Sequence, residues 1–260
     1  MLICPVCRRA LHFDEKLAVC DNSHSFDLAK EGYVNLLRSS KNGDLIGDDK
    51  QSARSRRDFL NKGYYEALKT ALVELFKEKY GSVLDICCGE GYYTHALAEN
   101  RNLTVLGFDI SKEMVRLAAK RGGATYFVAN MAAIPIADQS IDYCIHLFAP
   151  FQEKEFYRVL KPGGRLYTVI PGADHLLGLK QAVYDAPYRN DEKLPATNTL
   201  RLLGVQRIRA EITLQNKEDI EAVFRMTPYY FHTSPSDRKK LDRYDTLQTP
   251  VEFLIAEYEK

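Results

Sequence analysis

From residue 53 onward, apolar residues recur first with the period of a helix and then in short runs typical of strands. Leu68, Leu72, Leu75 and Phe76 are spaced by three and four residues, as one buried helix face requires. The following pattern predicts strands near 82–87, 104–109, 124–129, 141–147 and 164–170, and helices near 91–99, 111–121 and 153–160. Strands separated by helices of this length imply right-handed βαβ crossovers, so the sequence predicts an α/β fold with a parallel sheet.

The pattern changes on both sides of this region. After Pro171 the alternation loosens, and two late strands are predicted at 205–214 and 250–258, with a helix near 217–225 between them. The first late strand fits a final antiparallel hairpin. Residues 1–37 form one compositional unit, and the polar, glycine-bearing residues 38–52 indicate a flexible linker or a loop ordered only by ligand. We therefore expect an N-terminal module (1–37), a linker (38–52) and a main domain (53–260).

Composition and charge limit the possible classes of protein. The 260 residues carry 36 lysines and arginines against 35 aspartates and glutamates, so a polyanion partner would have to be bound by local patches. No apolar run approaches the length of a membrane span, and the N-terminus lacks the pattern of a secretory signal. These features predict a cytoplasmic protein with no membrane partner. Its six cysteines are then expected to be metal ligands or reduced thiols rather than disulfides.

The N-terminal module contains a candidate zinc site. Cys4 and Cys7 are separated by two residues, and Cys20 and His24 by three, which is the spacing of a structural zinc site. Four ligands leave no open position for chemistry, so we expect the metal to serve structure or recognition. Residues 1–37 carry four basic and five acidic side chains. Nucleic-acid recognition by this module would therefore depend on shape and specific contacts rather than on its net charge.

Residues 83–91 are the most informative stretch of the main domain. An apolar strand is followed by a turn with Gly89 and Gly91 that opens a helix, and the next apolar strand ends in Asp109. A doubly wound α/β domain builds a nucleoside-cofactor site in this way, because glycines allow close backbone approach and the terminal carboxylate can bind both ribose hydroxyls. The turn departs from the full dinucleotide pattern, since Cys87 occupies the usual position of the first glycine.

Later motifs extend this pattern. Asn130 follows the third strand, Asp138 and Asp142 frame the fourth, and residues 160–164 read Leu-Lys-Pro-Gly-Gly before the fifth. Taken in order, these signals resemble the Rossmann-like class I S-adenosylmethionine-dependent methyltransferases over residues 64–258. The resemblance implies a seven-stranded, mostly parallel sheet, here beside a small N-terminal zinc-binding domain, and S-adenosylmethionine as cofactor.

The same resemblance implies individual cofactor contacts. The glycine turn would face the methionine part of the cofactor, the acid that ends the second strand would bind the ribose, and the polar residue after the third would contact adenine. Asp85 would orient the turn and meet the amino group of the methionine end. The residues that take these roles are Asp85, Gly89, Glu90, Gly91, Asp109 and Asn130.

A narrower resemblance covers essentially the whole chain. The zinc ligands, residues 26–37 (Phe-Asp-Leu-Ala-Lys-Glu-Gly-Tyr-Val-Asn-Leu-Leu) and residues 89–94 (Gly-Glu-Gly-Tyr-Tyr-Thr) resemble the ribosomal large-subunit RNA guanine-N1 methyltransferases. Enzymes of that family modify a guanine in a hairpin loop of 23S rRNA, and some members confer resistance to macrolide-type antibiotics. The resemblance adds Tyr65 and His175 as cofactor contacts and favours a homodimer that could clamp an RNA hairpin.

The chemistry of such a reaction suggests further candidates. Guanine N1 must lose a proton, and the groups that could accept it near the mouth of the site are His175, Asp174, His146 and Asp185, none of which the sequence singles out as catalytic. Phe148, after the fourth strand, is placed to stack on an extruded base or to pack in the core. Two basic clusters could meet phosphates or be solvated helix faces: Arg54, Arg56, Arg57 and Lys62, and Arg238, Lys239, Lys240 and Arg243.

Alternative functions remain compatible with the sequence. A small-molecule methyltransferase is one, because the Leu-Lys-Pro-Gly-Gly motif is common among those enzymes. A zinc-containing binding protein with a vestigial cofactor site is another, supported only by Cys87. Zinc-mediated DNA binding is disfavoured by the net-negative module. The zinc module favours the RNA enzyme, since a small acceptor gives no reason for it.

Overall fold

A computed structural model describes residues 1–37 and 50–260 of the protein. Most of the predicted linker, residues 38–49, lies outside the described residues. Helix α1 (Lys50–Asn61) begins three residues before the expected start of the main domain, so residues 50–52 are helical rather than part of a linker. The segment contains no glycine or proline, and Ala53 packs with Met114 and Leu117, which holds the first turn in place.

The N-terminal module is a small antiparallel sheet with one further strand. Its three strands, β1 (Leu11–Phe13), β2 (Leu17–Cys20) and β3 (Ser25–Asp27), lie side by side in that order. A fourth, β4 (Val34–Asn35), leaves the module and pairs in parallel with the main sheet, where Val34 is opposite Phe127.

The main domain alternates strands and helices as predicted. In chain order its elements after α1 are α2 (Glu66–Phe76), β5 (Gly81–Ile86), α3 (Tyr92–Ala98), β6 (Leu103–Asp109), α4 (Lys112–Arg121), β7 (Thr125–Val128), β8 (Ile141–Leu147), α5 (Glu153–Val159), β9 (Leu160–Pro171), α6 (Leu177–Val183), β10 (Arg201–Leu214), α7 (Lys217–Arg225), α8 (Pro235–Arg238) and β11 (Leu247–Glu259). The predicted antiparallel hairpin is confirmed, since β10 pairs with β11 along its whole length. No helix within the described ranges is long and apolar enough to cross a membrane.

The main sheet has the strand order β10-β11-β9-β8-β5-β6-β7-β4. Strands β4 to β9 within it run parallel, and β11 is antiparallel to both of its neighbours. The seven strands β5 to β11 are those of the predicted class I fold, and β4 from the N-terminal module adds an eighth. The chain moves outward from β5 through β6 and β7 and then returns to β8 on the other side of β5. Ligands of open α/β sheets bind beyond the carboxyl ends of the strands at such a reversal.

The two faces of the sheet are covered differently. On one face, Leu68, Leu72 and Phe76 of α2 are buried against the sheet, as their spacing predicts, and Leu75 is partly buried. On the other face, Leu11 and Ala18 of the N-terminal module belong to the same buried cluster as sheet residues such as Phe108 and Phe127, together with Phe156 of α5. The module therefore shares a hydrophobic core with the main domain.

Candidate metal and cofactor sites

The structure brings the four predicted metal ligands together. The ligand atoms of Cys4, Cys7, Cys20 and His24 all lie within 4.8 Å of one another. Cys7 Sγ is 3.6 Å from Cys20 Sγ, and His24 Nδ1 is 3.6 Å from Cys4 Sγ and 3.4 Å from Cys20 Sγ. A tetrahedral zinc ion with Zn–S of about 2.3 Å and Zn–N of about 2.0 Å places its ligands about 3.5–3.8 Å apart. The four side chains therefore fit a zinc ion with no position left open.

Local backbone geometry aims these ligands at one point. The amide of Val6 donates to Cys4 Sγ at 3.4 Å, and the amide of Arg8 donates to the Cys4 carbonyl at 2.8 Å. Arg8 and Ser23 both have left-handed backbone, with φ of 62° and 58°. Each ligand pair is thus closed by a tight turn, which is why the short spacing within each pair suffices.

The turn between β5 and α3 passes three times through left-handed backbone. Its φ values are 60° at Cys87, 56° at Gly89 and 81° at Gly91. A Cβ at Gly91 would lie 2.8 Å from the Cβ of Ala118, so a glycine is required where α3 approaches α4. At Gly89 nothing lies within 4 Å of the position of a Cβ, which leaves the backbone open to a ligand. Cys87 takes the left-handed conformation suited to glycine, at a cost of about 1–2 kcal/mol.

Asp109 connects this turn to the end of the next strand. Its Oδ2 accepts a hydrogen bond from the Gly89 amide at 3.0 Å, and its Oδ1 accepts one from the Ser111 amide at 2.9 Å. One carboxylate therefore organises both the turn and the start of α4. Asp109 lies beside the open face of Gly89, and its binding of the ribose stays a prediction.

A large cavity opens beyond the carboxyl ends of β8 and β9. It has a volume of about 650 Å³, within the range of small-molecule sites. Its walls include Arg56 of α1, Tyr65, Phe148, His175 and the segment that follows α7. Phe148 is 46 % exposed and has a φ of 54°, unusual for a residue with a side chain. The cavity thus presents an aromatic surface next to two predicted cofactor residues, Tyr65 and His175.

Comparison with known proteins identifies the two parts of the chain. The family model described as "RlmA, N-terminal", a zinc ribbon, matches residues 2–41, and the model described as "Methyltransferase domain" matches residues 83–164. The 23S rRNA (guanine(748)-N(1))-methyltransferase of Streptomyces fradiae is 30% identical to this chain, over 91% of this chain and 88% of its own length. YxjB of Bacillus subtilis strain 168, named as a candidate 23S rRNA (guanine-N(1)-)-methyltransferase, is 31% identical over 93% and 90%.

The chain belongs to the 23S rRNA (guanine-N(1)-)-methyltransferase family. A demethylmenaquinone methyltransferase of Chlorobaculum parvum is 33% identical, but that match covers only 40% of this chain and 47% of the relative. The similarity to a small-molecule methyltransferase therefore covers less than half of this rRNA methyltransferase, whereas the similarity to the rRNA enzymes covers nearly all of it. The predicted family is confirmed, with S-adenosylmethionine as its methyl donor and a structural zinc site.

In this rRNA methyltransferase, Asp85 lies buried near the end of β5. Its Oδ2 accepts a hydrogen bond from the Thr94 hydroxyl at 2.5 Å. Burial, together with the nearby charge of Asp109, raises the pKa of Asp85 to about 7 although the bond from Thr94 opposes the rise. A cationic group brought close to it, such as the amino group of the methionine end, would favour the ionised form.

The side chains of Glu90 and Asn130 are held by protein groups. Glu90 Oε2 accepts a hydrogen bond from Arg121 Nε at 2.7 Å, and another nitrogen of Arg121 donates to Asn61 at 2.6 Å. The Glu90 carboxylate thus ties the turn to α1 and α4. Asn130 Oδ1 accepts a hydrogen bond from the Ala132 amide at 2.9 Å. Contact of either residue with the cofactor stays a prediction.

Tyr65 and His175, which are 110 residues apart in the chain, meet at the cavity. The Tyr65 hydroxyl is 3.2 Å from His175 Nε2, and His175 Nδ1 accepts a hydrogen bond from the Glu252 amide at 3.2 Å. Because Nδ1 is the acceptor, Nε2 carries the hydrogen and donates it to Tyr65. Burial, with the charge of Lys180, lowers the pKa of His175 to about 3. The imidazole is therefore neutral, and its lone pair is engaged.

The other candidate proton acceptors lie away from the cavity. His146 is buried with Phe156 on the opposite face of the sheet, and burial lowers its pKa to about 4. Asp174 is paired with Arg189 and Arg209, and Asp185 with Lys240. Of the four candidates, only His175 lines the cavity. None of these four residues offers a free basic atom at the cavity.

Several residues of the two basic clusters have structural partners. Lys62 forms an ion pair with the buried carboxylate of Asp219, which also accepts a hydrogen bond from Tyr64. In the late cluster, the Arg238 guanidinium lies 4.2 Å from the Tyr230 ring centroid. Lys240 is paired with both Asp185 and Asp237. These contacts favour a structural role for Lys62, Arg238 and Lys240.

Sequence reasoning missed one wall of the cavity. Met226, Tyr229 and Phe231, which follow α7, line the same cavity as Phe148, and Phe231 is 76 % exposed. The available signal was the aromatic run at residues 229–231, in a region where the strand and helix pattern had weakened. Its place beside the site depends on how α7 packs against α1.

Proposed function

We propose that this protein transfers a methyl group from S-adenosylmethionine to N1 of a guanine in a hairpin loop of 23S ribosomal RNA. The observation that carries the proposal is the aromatic-lined cavity at the carboxyl edge of a methyltransferase sheet that also bears a zinc-binding module. Bases in RNA loops can be splayed out and stacked on aromatic side chains, and a cavity of about 650 Å³ accommodates a purine.

Bound S-adenosylmethionine supplies an electrophilic methyl group on a sulfonium. In methyl transfer the guanine N1–carbon bond would form as the carbon–sulfur bond breaks, and the N1 proton would pass to water, because the described residues around the cavity offer no free base. The protein contributes alignment: the glycine turn and Asp109 place the donor, and the aromatic walls place the acceptor. The proposed cofactor contacts are Tyr65, Asp85, Gly89, Glu90, Gly91, Asp109, Asn130 and His175.

The zinc-binding module is proposed to recognise the RNA hairpin. It carries no positive net charge, but it is fixed to the sheet by a shared core and by the Ile3 amide, which donates to the Pro135 carbonyl at 2.9 Å. This attachment would hold its surface at a constant position relative to the cavity. Residues 1–37 would then act as a rigid part of the RNA-binding surface rather than as a tethered domain.

The assembly and setting of the enzyme are also proposals. Strand β10 lies at the edge of the sheet, and Leu202, Leu203 and Val205 on it are exposed. An exposed apolar edge favours pairing with a second copy, which supports a homodimer. Light scattering on the purified protein tests this, with a Val205→Lys variant expected to be monomeric. We also propose a cytoplasmic location, because ribosomal RNA is the proposed substrate, and macrolide susceptibility with and without its gene tests a role in resistance.

The activity is tested with naked 23S RNA or a hairpin fragment and a labelled methyl donor. We expect label in the RNA and a new primer-extension stop at a loop guanine, because a methyl group at N1 blocks base pairing. The Asp109→Ala protein is the control and should produce neither. Label found only on small metabolites would contradict the proposal and support the small-molecule alternative.

A further inference from the structure

A second, basic cleft lies where the zinc-binding module meets helices α1 and α4. We call it the junction cleft, and it has a volume of about 520 Å³. Its charged lining residues come from three parts of the chain: Lys30 and Glu31 from the module, Lys50 and Arg54 from α1, and Lys112, Glu113 and Arg116 from α4. Five cations face two carboxylates, although neither the module nor the whole chain has much net charge.

One arginine, Arg116, contacts both carboxylates of the junction cleft. Arg116 donates to Glu113 at 2.9 and 3.1 Å and approaches Glu31 to 4.0 Å. The other four cations, Lys30, Lys50, Arg54 and Lys112, are exposed and form no ion pair within residues 1–37 and 50–260. Among the described residues, the positive charge of the cleft is therefore only partly neutralised by ion pairs.

Helix α1 separates the junction cleft from the aromatic cavity. Lys50 and Arg54 are one turn apart and line the cleft, whereas Gln51, Ser55 and Arg56 line the cavity. At 100° per residue these two sets lie on nearly opposite sides of the helix. Since a helix with its side chains is about 10–12 Å across, the two sites are close enough for one nucleic-acid strand to reach both.

We infer that the junction cleft binds backbone phosphates of the RNA strand beside the target guanine. The inference rests on the proposed function, because the guanine would occupy the aromatic cavity on the other side of α1. Unpaired lysines and arginines from separate elements are the groups that neutralise phosphates, and arginine can hold two phosphate oxygens at once. The zinc-binding module contributes Lys30, so the cleft exists only when module and main domain are docked.

The test is a paired comparison of RNA binding by charge-neutralised variants. Lys50→Gln combined with Arg54→Gln removes two cleft cations, and Lys154→Gln combined with Lys193→Gln removes the same charge from exposed positions outside the cleft. Binding to the hairpin is measured from low to high salt for both proteins and for the unaltered chain. S-adenosylmethionine binding and thermal unfolding are measured alongside to establish that each variant is folded.

We expect the cleft variant to bind RNA roughly tenfold more weakly near physiological salt. The slope of log affinity against log salt should fall by about 1.4–1.8, since each phosphate contact contributes about 0.7–0.9. In turnover, KM for RNA should rise while kcat at saturating RNA is retained. The control pair should change the slope by less than about 0.5.

Two results would overturn the inference while leaving the proposed function standing. One is an active cleft variant with unchanged affinity and salt slope, and the other is an equal loss in the control pair, which would indicate a diffuse charge effect. Failure of the unaltered protein to methylate the hairpin would instead contradict the proposed function itself.

Discussion

The carboxylate of Asp109 accepts the amide hydrogen of Gly89 across 3.0 Å, so the acid that ends β6 also holds the turn that follows β5. We expect Asp109→Ala to reduce S-adenosylmethionine affinity at least about 100-fold, because it removes hydrogen bonds to a charged group worth about 1.5–3 kcal/mol each. Calorimetric titration measures this. Zinc content should not change, and its loss in the variant would mean that the two sites are not separate.

The Asp109→Asn protein separates the two roles of this side chain. The amide oxygen can still accept the Gly89 hydrogen, while the charge that suits ribose hydroxyls is gone. An affinity between those of the unaltered and Asp109→Ala proteins supports a double role. Equal losses of S-adenosylmethionine affinity in both variants would mean that Asp109 acts only through its contact with the ribose.

Burial of Asp85 predicts a specific pH dependence of stability. Its pKa is about 7 in the folded protein and 3.8 for an ordinary aspartate, so between these values the folded state binds a proton that the unfolded state has lost. Stability from this group therefore falls as pH rises from about 4 to about 7. Asp85→Asn removes this pH dependence. In the cofactor-free protein, we therefore expect the free energy of unfolding of Asp85→Asn, relative to that of the unaltered chain, to rise by about 3 kcal/mol from pH 5 to pH 8.

Urea unfolding of the two proteins at both pH values measures this difference. A constant difference between the variants at pH 5 and pH 8 would contradict the raised pKa. Asp85→Asn should also weaken S-adenosylmethionine binding, because the variant cannot supply a negative charge to the amino group of the cofactor.

The left-handed backbone at Cys87 predicts which replacements the turn accepts. Cys87→Gly should change the free energy of unfolding by less than about 1 kcal/mol, since relief of strain offsets the greater freedom of glycine in the unfolded chain. Cys87→Val should destabilise by about 2 kcal/mol, because a β-branched residue suits this conformation poorly. Chemical unfolding compares the two, and a Cys87→Val protein as stable as Cys87→Gly would rule out the strain.

Removal of zinc should affect more than the N-terminal module. Leu11 and Ala18 belong to the cluster that contains Phe108 and Phe127 of the sheet, so loss of the metal exposes part of the domain core. We expect Cys20→Ser, or treatment with a chelator, to lower the melting temperature of the whole chain in one transition. Two separate transitions, with the upper one unchanged, would show that the main domain does not depend on the module.

Phe148 is predicted to act on the RNA and not on the cofactor. Base stacking on an aromatic side chain is worth about 1–3 kcal/mol, so Phe148→Ala should lower kcat/KM for RNA roughly 5- to 150-fold while cofactor affinity stays constant. Tyr80→Ala is a matched control, because Tyr80 is 78 % exposed but precedes β5 at the opposite edge of the sheet. Similar activity losses in the two variants would contradict a stacking role.

The sequence predicted the fold and the zinc ligands well because both follow from local patterns. The mostly apolar run at residues 82–86 predicted an interior parallel strand, and the structure buries all five of its residues. The spacing of Cys4, Cys7, Cys20 and His24 likewise predicts a zinc site, since short spacing brings the members of each pair together whatever surrounds them.

The function of individual side chains was less predictable. Glu90 and Asp109 both belong to the resemblance-based cofactor set, yet Arg121 holds the Glu90 carboxylate while Asp109 lies beside the open face of the turn. His175 was a predicted cofactor contact and one of four candidate proton acceptors, and the Glu252 amide occupies its lone pair. Both partners are remote in sequence, at separations that no local pattern encodes.

The sequence by itself thus determined the order of strands and helices, the metal ligands, the glycine turn and the family. Only the tertiary structure decided that the module and the sheet share one core, that Phe148, His175 and Phe231 line one cavity, and that cations from three elements meet at the junction cleft. The physical reason is that periodicity and spacing act over a few residues, whereas burial, protonation and charge neutralisation depend on every group that folding brings near.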